Sequence, residues 1–235
     1  MMLSPDGPPA LPLWIHGRAF LTMAPAFYEV RHAVTGAPLR RTPLCGATEV
    51  AEAARAARAA LPAWQGLAAE QRAALLEAWA AGLARYAAHF AQLVREETGK
   101  AEAEASAEVE AAQAALASLA CSCEDAGRVL GLAWDDRAPL ATAAALLAPV
   151  LRAGGCAVLK PSPRTPGVAY ALVELSGRVG LPAGVVNLVQ GDTAALEALC
   201  AEPGIDRVAF SGRAELAAQV AAMAAHSGKP FAALA

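Results

Sequence analysis

Five cysteines, Cys45, Cys121, Cys123, Cys156 and Cys200, are the most nucleophilic side chains in this 235-residue sequence. A catalytic cysteine needs thiolate character and a neighbouring base, and none of the five sits in such a local context. They form no Cys-x-x-Cys pair, and their odd number predicts reduced thiols. Cys121 and Cys123 are close enough to share a metal, but no histidine lies nearby and two ligands are too few. No metal site is expected, and Cys156 reads as a small core residue. The turn Trp134-Asp135-Asp136-Arg137 gathers two carboxylates and a guanidinium. An arginine there can donate to an oxyanion, but the adjacent acids favour neutralisation at a surface turn. Lys160, Arg164 and Arg213 offer positive charge to an anionic ligand, with solvated charges around an empty crevice as the alternative.

These residues need elements to position them. Trp14 to Leu39 reads as an extended arm, with strand-like alternation at Phe27-Tyr28-Glu29-Val30-Arg31 and a turn at Thr35-Gly36-Ala37-Pro38. A helix is expected over Ala51–Leu61, ended by Pro62. Leu75, Leu76, Trp79, Leu83, Tyr86, Phe90, Leu93 and Val94 then recur at three- and four-residue spacing, predicting one long amphipathic helix closed by a left-handed Gly99. A third helix follows over Ala101–Leu119. The second half alternates β-prone runs (129–133, 156–159, 185–189, 207–210) with helices reaching Leu151, over Val168–Val179, through Cys200, and over Ala214–Ala225. Strands separated by such helices pair in parallel through right-handed crossovers. The expected fold is α/β: an amino-terminal helical arm (residues 1–126) packed on a doubly wound, Rossmann-like sheet (residues 127–235). Its ligand crevice lies beyond the carboxyl ends of the strands. No Gly-x-Gly-x-x-Gly fingerprint is present.

Four segments in order resemble the aldehyde dehydrogenase superfamily. They are Pro62-Ala63-Trp64 through Glu97-Thr98-Gly99-Lys100; Leu159-Lys160-Pro161-Ser162 with Thr165-Pro166; Gly180-Leu181-Pro182-Ala183-Gly184 running to Val189; and Asp206 to Gly212. The resemblance implies an incomplete member, with the amino-terminal helices and cofactor half but no downstream catalytic domain. It implies dinucleotide contacts at Lys160, Ser162, Arg164, Gly191, Ser211, Gly212 and Arg213, with NADP or NAD as cofactor. Such enzymes need a thiolate, an oxyanion donor and a general base around a held nicotinamide. Arg137 stands where the family places its oxyanion-binding asparagine, and Leu234 where it places its glutamate base. The family's nucleophilic cysteine has no counterpart, so no catalytic residue is assigned. Pro163 replaces the acid that grips the ribose. The neighbouring Arg164 could meet a 2′-phosphate, which favours NADP over NAD. Arg213 replaces a serine at the diphosphate turn. Residues 119–127 leave no room for the family's assembly hairpin. The stretch from Val129 to Leu140 is similar to the degenerate second module of two-module aldehyde dehydrogenases.

A net charge of −3 gives no general attraction to nucleic acid or anionic membrane. No apolar stretch approaches the length needed to cross roughly 30 Å of hydrocarbon. Met1 to Pro12 lacks the cationic and apolar order of a leader, so a soluble, cytoplasmic protein is expected. Three readings follow: a non-catalytic accessory subunit binding a full-length aldehyde dehydrogenase or another protein, a surviving dinucleotide-binding module, or a truncated gene product without independent activity.

Overall fold

A computed structural model describes residues 8–24, 26–121 and 123–234. Most of the segment read for a leader, the side chain of Cys123 and the final Ala235 lie outside the described residues.

The amino-terminal arm supplies four short strands. β1 (Leu13–Ile15) and β2 (Arg18–Phe20) pair antiparallel, as do β3 (Phe27–Arg31) and β4 (Pro38–Pro43). Helix α1 covers Ala47–Gln65 and runs past Pro62, so the expected stop at Leu61 is corrected. Pro62 sits in the last turn, where the Gly66 N–H closes on its carbonyl at 3.1 Å. Trp64, fully buried, donates its indole N–H to the Leu151 carbonyl at 3.1 Å, and that anchor outweighs one missing ladder bond.

The expected single long helix is two: α2 (Ala69–Arg85) and α3 (Ala87–Thr98). Tyr86 leaves helical geometry at φ −106° and ψ 22°. The break is a kink, because the Tyr86 N–H still reaches Gly82 and the Tyr86 carbonyl still accepts from Phe90. It lets both apolar faces reach the core: Leu76, Trp79 and Leu83 from α2, Phe90, Leu93 and Val94 from α3. Periodicity alone does not see such a change of axis. Gly99 takes the left-handed cap at φ 76°, and α4 covers Glu102–Ala117.

Five further strands alternate with helices: β5 (Val129–Trp134), α5 (Pro139–Arg152), β6 (Cys156–Lys160), α6 (Pro166–Arg178), β7 (Val186–Leu188), α7 (Thr193–Ala201), β8 (Arg207–Ser211), α8 (Ala214–His226) and β9 (Phe231–Leu234). The sheet order is β2-β1-β7-β6-β5-β8-β9, parallel from β7 to β9. All of β5 and β6 is buried, as expected for parallel strands covered by helices on both faces. The boundary between residues 126 and 127 does not separate two layers, because β1 pairs with β7 and extends the second segment's sheet. One buried cluster also joins the helices of both segments. β5 is flanked by β6 on one side and β8 on the other, so the chain changes winding direction there. The crevice of such a sheet opens at that switch point.

Candidate crevice at the carboxyl ends of the strands

At the switch point lies a cavity of about 460 Å³. Trp134, Asp135 and Asp136 enter it from the end of β5, Lys160, Ser162, Pro163 and Arg164 from β6 and its turn. Asp192 and Leu196 come from α7; Arg213, Leu216, Val220 and Met223 come from α8 and its start. Of the expected cofactor residues, Lys160, Ser162, Arg164 and Arg213 are brought together here. Gly191, Ser211 and Gly212 do not line the cavity. Gly191 (φ 145°) is closely packed, and an added Cβ would lie 2.7 Å from the Cβ of Ala195. At Gly212 a Cβ would meet the carboxyl carbon of Asp135 at 2.9 Å, and the Ser211 carbonyl accepts the Asp135 N–H at 3.2 Å. Both residues therefore place Asp135.

Lys160 is 4% exposed and, among the described residues, its amine makes no hydrogen bond or ion pair. Burial pushes its pKa down to about 8, opposed by the carboxylate of Asp192, which caps α7 by accepting the Ala194 N–H at 3.2 Å. Among the described residues the buried indole N–H of Trp134 also lacks a partner. Around this polar end, Leu196, Leu216, Val220 and Met223 form an apolar wall.

The anion-binding end of the crevice is arranged differently from expectation. Arg213 is the residue before α8, and the free N–H groups of a helix start attract anions. The Arg213 N–H is already donated to Asp135 Oδ2 at 2.9 Å. Asp135 also accepts from the Arg137 N–H at 3.1 Å and from Arg137 Nε at 2.9 Å. The expected neutralisation of Arg137 thus comes from Asp135. Asp136 serves other cations: Arg213 at 2.9 Å and Arg164 at 3.7 Å. This bond to Asp136 raises the Arg213 pKa further. Two carboxylates of the chain thus pair with the groups that would hold a diphosphate, so a dinucleotide's phosphates would have to displace Asp136 from Arg213 and Arg164. The sequence showed the acidic pair, but adjacency in sequence pointed both acids to Arg137. Only the close approach of β5 and β8 reveals their second set of partners.

Arg137 lies outside this cavity and lines an adjoining one of about 490 Å³ with Tyr28, Arg31 and Lys100. Leu234, in the edge strand β9, is aligned with Ser211. Burial pushes the Cys45 and Cys156 thiols up to about 12 and Cys200 to about 11, so none of the three is a ready thiolate. Cys156 is fully buried, as its core reading required. Sequence reasoning missed Glu97. It is buried at the start of α6, where it accepts the N–H groups of Gly167 at 2.9 Å and Val168 at 3.1 Å and pairs with Arg40 at 3.1 Å. Burial raises its pKa to about 7 against the opposing pull of Arg40 and the two N–H groups. No helix among the described residues is long and apolar enough to cross a membrane.

Comparison with known proteins places this geometry. The model of the aldehyde dehydrogenase family matches residues 21–137 and 132–234. Succinate-semialdehyde dehydrogenase (NADP(+)) GabD of Escherichia coli is 32% identical over 218 residues, covering 82% of this chain and 44% of that protein. N-succinylglutamate 5-semialdehyde dehydrogenase of Pseudomonas fluorescens is 34% identical over 221 residues, covering 83% of this chain and 42% of that protein. Among solved structures, lactaldehyde dehydrogenase from Escherichia coli superposes with a TM-score of 0.88 at 26% identity, over 96% of this chain and 52% of that one. The chain spans about half the length of the relatives it matches.

Proposed function

Because this chain belongs to the aldehyde dehydrogenase family, we propose that it is a non-oxidising member, acting as an accessory subunit for a protein partner. The observation that carries the reading is the pair Asp135 and Asp136. It takes up the Arg213 N–H at the start of α8 and pairs with the arginines that would otherwise meet a cofactor's phosphates. Two further positions support it. At the family's asparagine position stands Arg137, its guanidinium drawn to Asp135. At the glutamate position stands Leu234, which has no proton to exchange. The arm supplies surface for a partner: Leu21, Met23 and Val34 are strongly exposed, with Phe27 and Tyr28 partly so. A full-length aldehyde dehydrogenase is the partner that the family membership favours.

The test is aldehyde oxidation with NAD and with NADP by the purified chain, alone and mixed with a full-length family member, followed by gel filtration of the mixture. No turnover alone and co-elution in the mixture are expected. Turnover by the isolated chain refutes the non-oxidising reading, and separate elution from the family members tested refutes the accessory role.

A second reading, a dinucleotide-binding module, is favoured by the unpaired Lys160 beside the apolar wall of Leu216, Val220 and Met223. It requires Asp136 to give up Arg213 and Arg164 to the ligand. Arg164 would then meet a 2′-phosphate, and NADP would bind more tightly than NAD. An Arg164→Ala variant with the same preference for NADP refutes that assignment.

A further inference from the structure

Away from the crevice, an open depression of about 410 Å³ lies between the start of α2 and the end of α5. Arg72 and Arg152 are its cations and Glu70 its single acid. Arg152 is only 8% exposed, yet it has no carboxylate partner among the described residues. One of its terminal nitrogens donates to the Leu116 carbonyl at 3.3 Å, and its buried Nε has no acceptor among the described residues. Arg72 is also paired only with carbonyls, reaching Arg152 at 3.1 Å and Gln65 at 3.3 Å, with a further bond to Leu67. Two guanidiniums thus converge on one surface hollow without a counter-charge from their neighbours, in a chain of net charge −3. The position of Arg152 in the last turn of α5 offsets part of its burial through the helix dipole. That effect leaves the orphaned Nε unexplained, and a buried charge without a counter-ion is costly. The start of α2 adds to the positive field through the N–H groups of Ala69 and Glu70, which have no capping side-chain oxygen. The Ala68 N–H is already taken by Gln71 Oε1 at 3.0 Å, and the Gln71 N–H closes on the Ala68 carbonyl at 3.1 Å.

We propose that Arg152, Arg72 and the start of α2 form a binding site for a small oxoanion, the phosphate or carboxylate group of a metabolite. Arg152 supplies the buried charge and Arg72 the rim, while Glu70, the single acid of the lining, opposes the anion and limits its affinity. The site is separate from the crevice and stands whether or not a dinucleotide binds there.

The experiment is thermal unfolding in potassium phosphate and in potassium acetate, each against potassium chloride at matched ionic strength. The wild type is compared with Arg152→Met, Arg72→Gln and, as a crevice control, Arg213→Ala. Phosphate or acetate is expected to raise the midpoint saturably, by about 5–10 °C at a hundredfold excess over its dissociation constant. Which of the two acts assigns the ligand group. The rise should disappear in Arg152→Met, shrink in Arg72→Gln and persist in Arg213→Ala. A midpoint that follows ionic strength alone overturns the proposal, as does a rise retained in Arg72→Gln and Arg152→Met or lost in Arg213→Ala. Should Arg152→Met fail to fold, Arg72→Gln decides.

Discussion

Replacing Asp136 with asparagine keeps the size of the side chain and removes one of the two charges on the phosphate seat. The wild-type cluster sets three cations, Arg137, Arg164 and Arg213, against Asp135 and Asp136, a net of +1. The variant has +2. A phosphate taking the place of Asp136 beside Arg213 would sit roughly 4 Å from the displaced carboxylate, where like charges repel by about 1 kcal/mol in water and about 4 at an effective dielectric of 20. The side chain of Asp136 is 19% exposed and that of Arg213 47%, so the lower part of the range applies. A gain of about 1–2 kcal/mol is roughly 5- to 30-fold in affinity, which would bring NADPH binding too weak to saturate the wild type within about 1 mM towards the sub-millimolar range in Asp136→Asn. Stability should fall by less than about 1 kcal/mol, since the lost pairs are half exposed. Fluorescence titration with NADPH, repeated at raised salt, reads the effect, and the gain should diminish as salt screens the freed arginines. Unchanged or weaker binding in the variant would show that Asp136 does not stand in the ligand's place.

Other substitutions probe the groups that hold the crevice. Lys160 has its pKa lowered from 10.5 to about 8 by burial, so the folded state disfavours its charged form. The penalty is full below about pH 8 and is relieved as pH rises towards 10.5. Lys160→Met should therefore stabilise the protein by about 3 kcal/mol at pH 7 and by much less at pH 10, measured by urea unfolding at both. Equal effects at the two pH values would contradict the buried, unpaired charge. Glu97→Ala leaves Arg40 with Glu96 alone, at 2.9 Å, and strands two N–H groups at the start of α6, and should cost about 2–4 kcal/mol in the same assay; a loss below about 1 kcal/mol would contradict its anchoring role.

Much of the fold was legible because the residues that make it act locally. Thr98-Gly99 closed α3 as read, since a left-handed cap is a property of glycine itself. The β-prone runs at 129, 156, 185 and 207 became β5 to β8, because strands covered on both faces read as short, mostly apolar runs. The kink at Tyr86 was not legible, because both halves keep the same apolar period and only their axes differ. Nor was the passage of α1 through Pro62, which depends on Trp64 reaching Leu151, 87 positions away. In the crevice, Lys160, Ser162, Arg164 and Arg213, named from the family resemblance, line one cavity because a strand end and a helix start bring them to the same edge of the sheet. Gly191, Ser211 and Gly212 lie outside the cavity lining, Gly191 packed against Ala195 and the other two beside Asp135. The sharing of Asp135 and Asp136 among three arginines is set by the pairing of β5 with β8, which adjacency in sequence does not encode.

The most direct test of a non-oxidising member with a self-occupied phosphate seat is fluorescence titration of the purified wild-type chain with NADPH and NADH. The account predicts no saturable binding by the folded protein across the roughly 1 μM to 1 mM range in which enzymes ordinarily engage their substrates. Saturation within that range, tighter for NADPH than for NADH, would contradict it and make the crevice a working cofactor site.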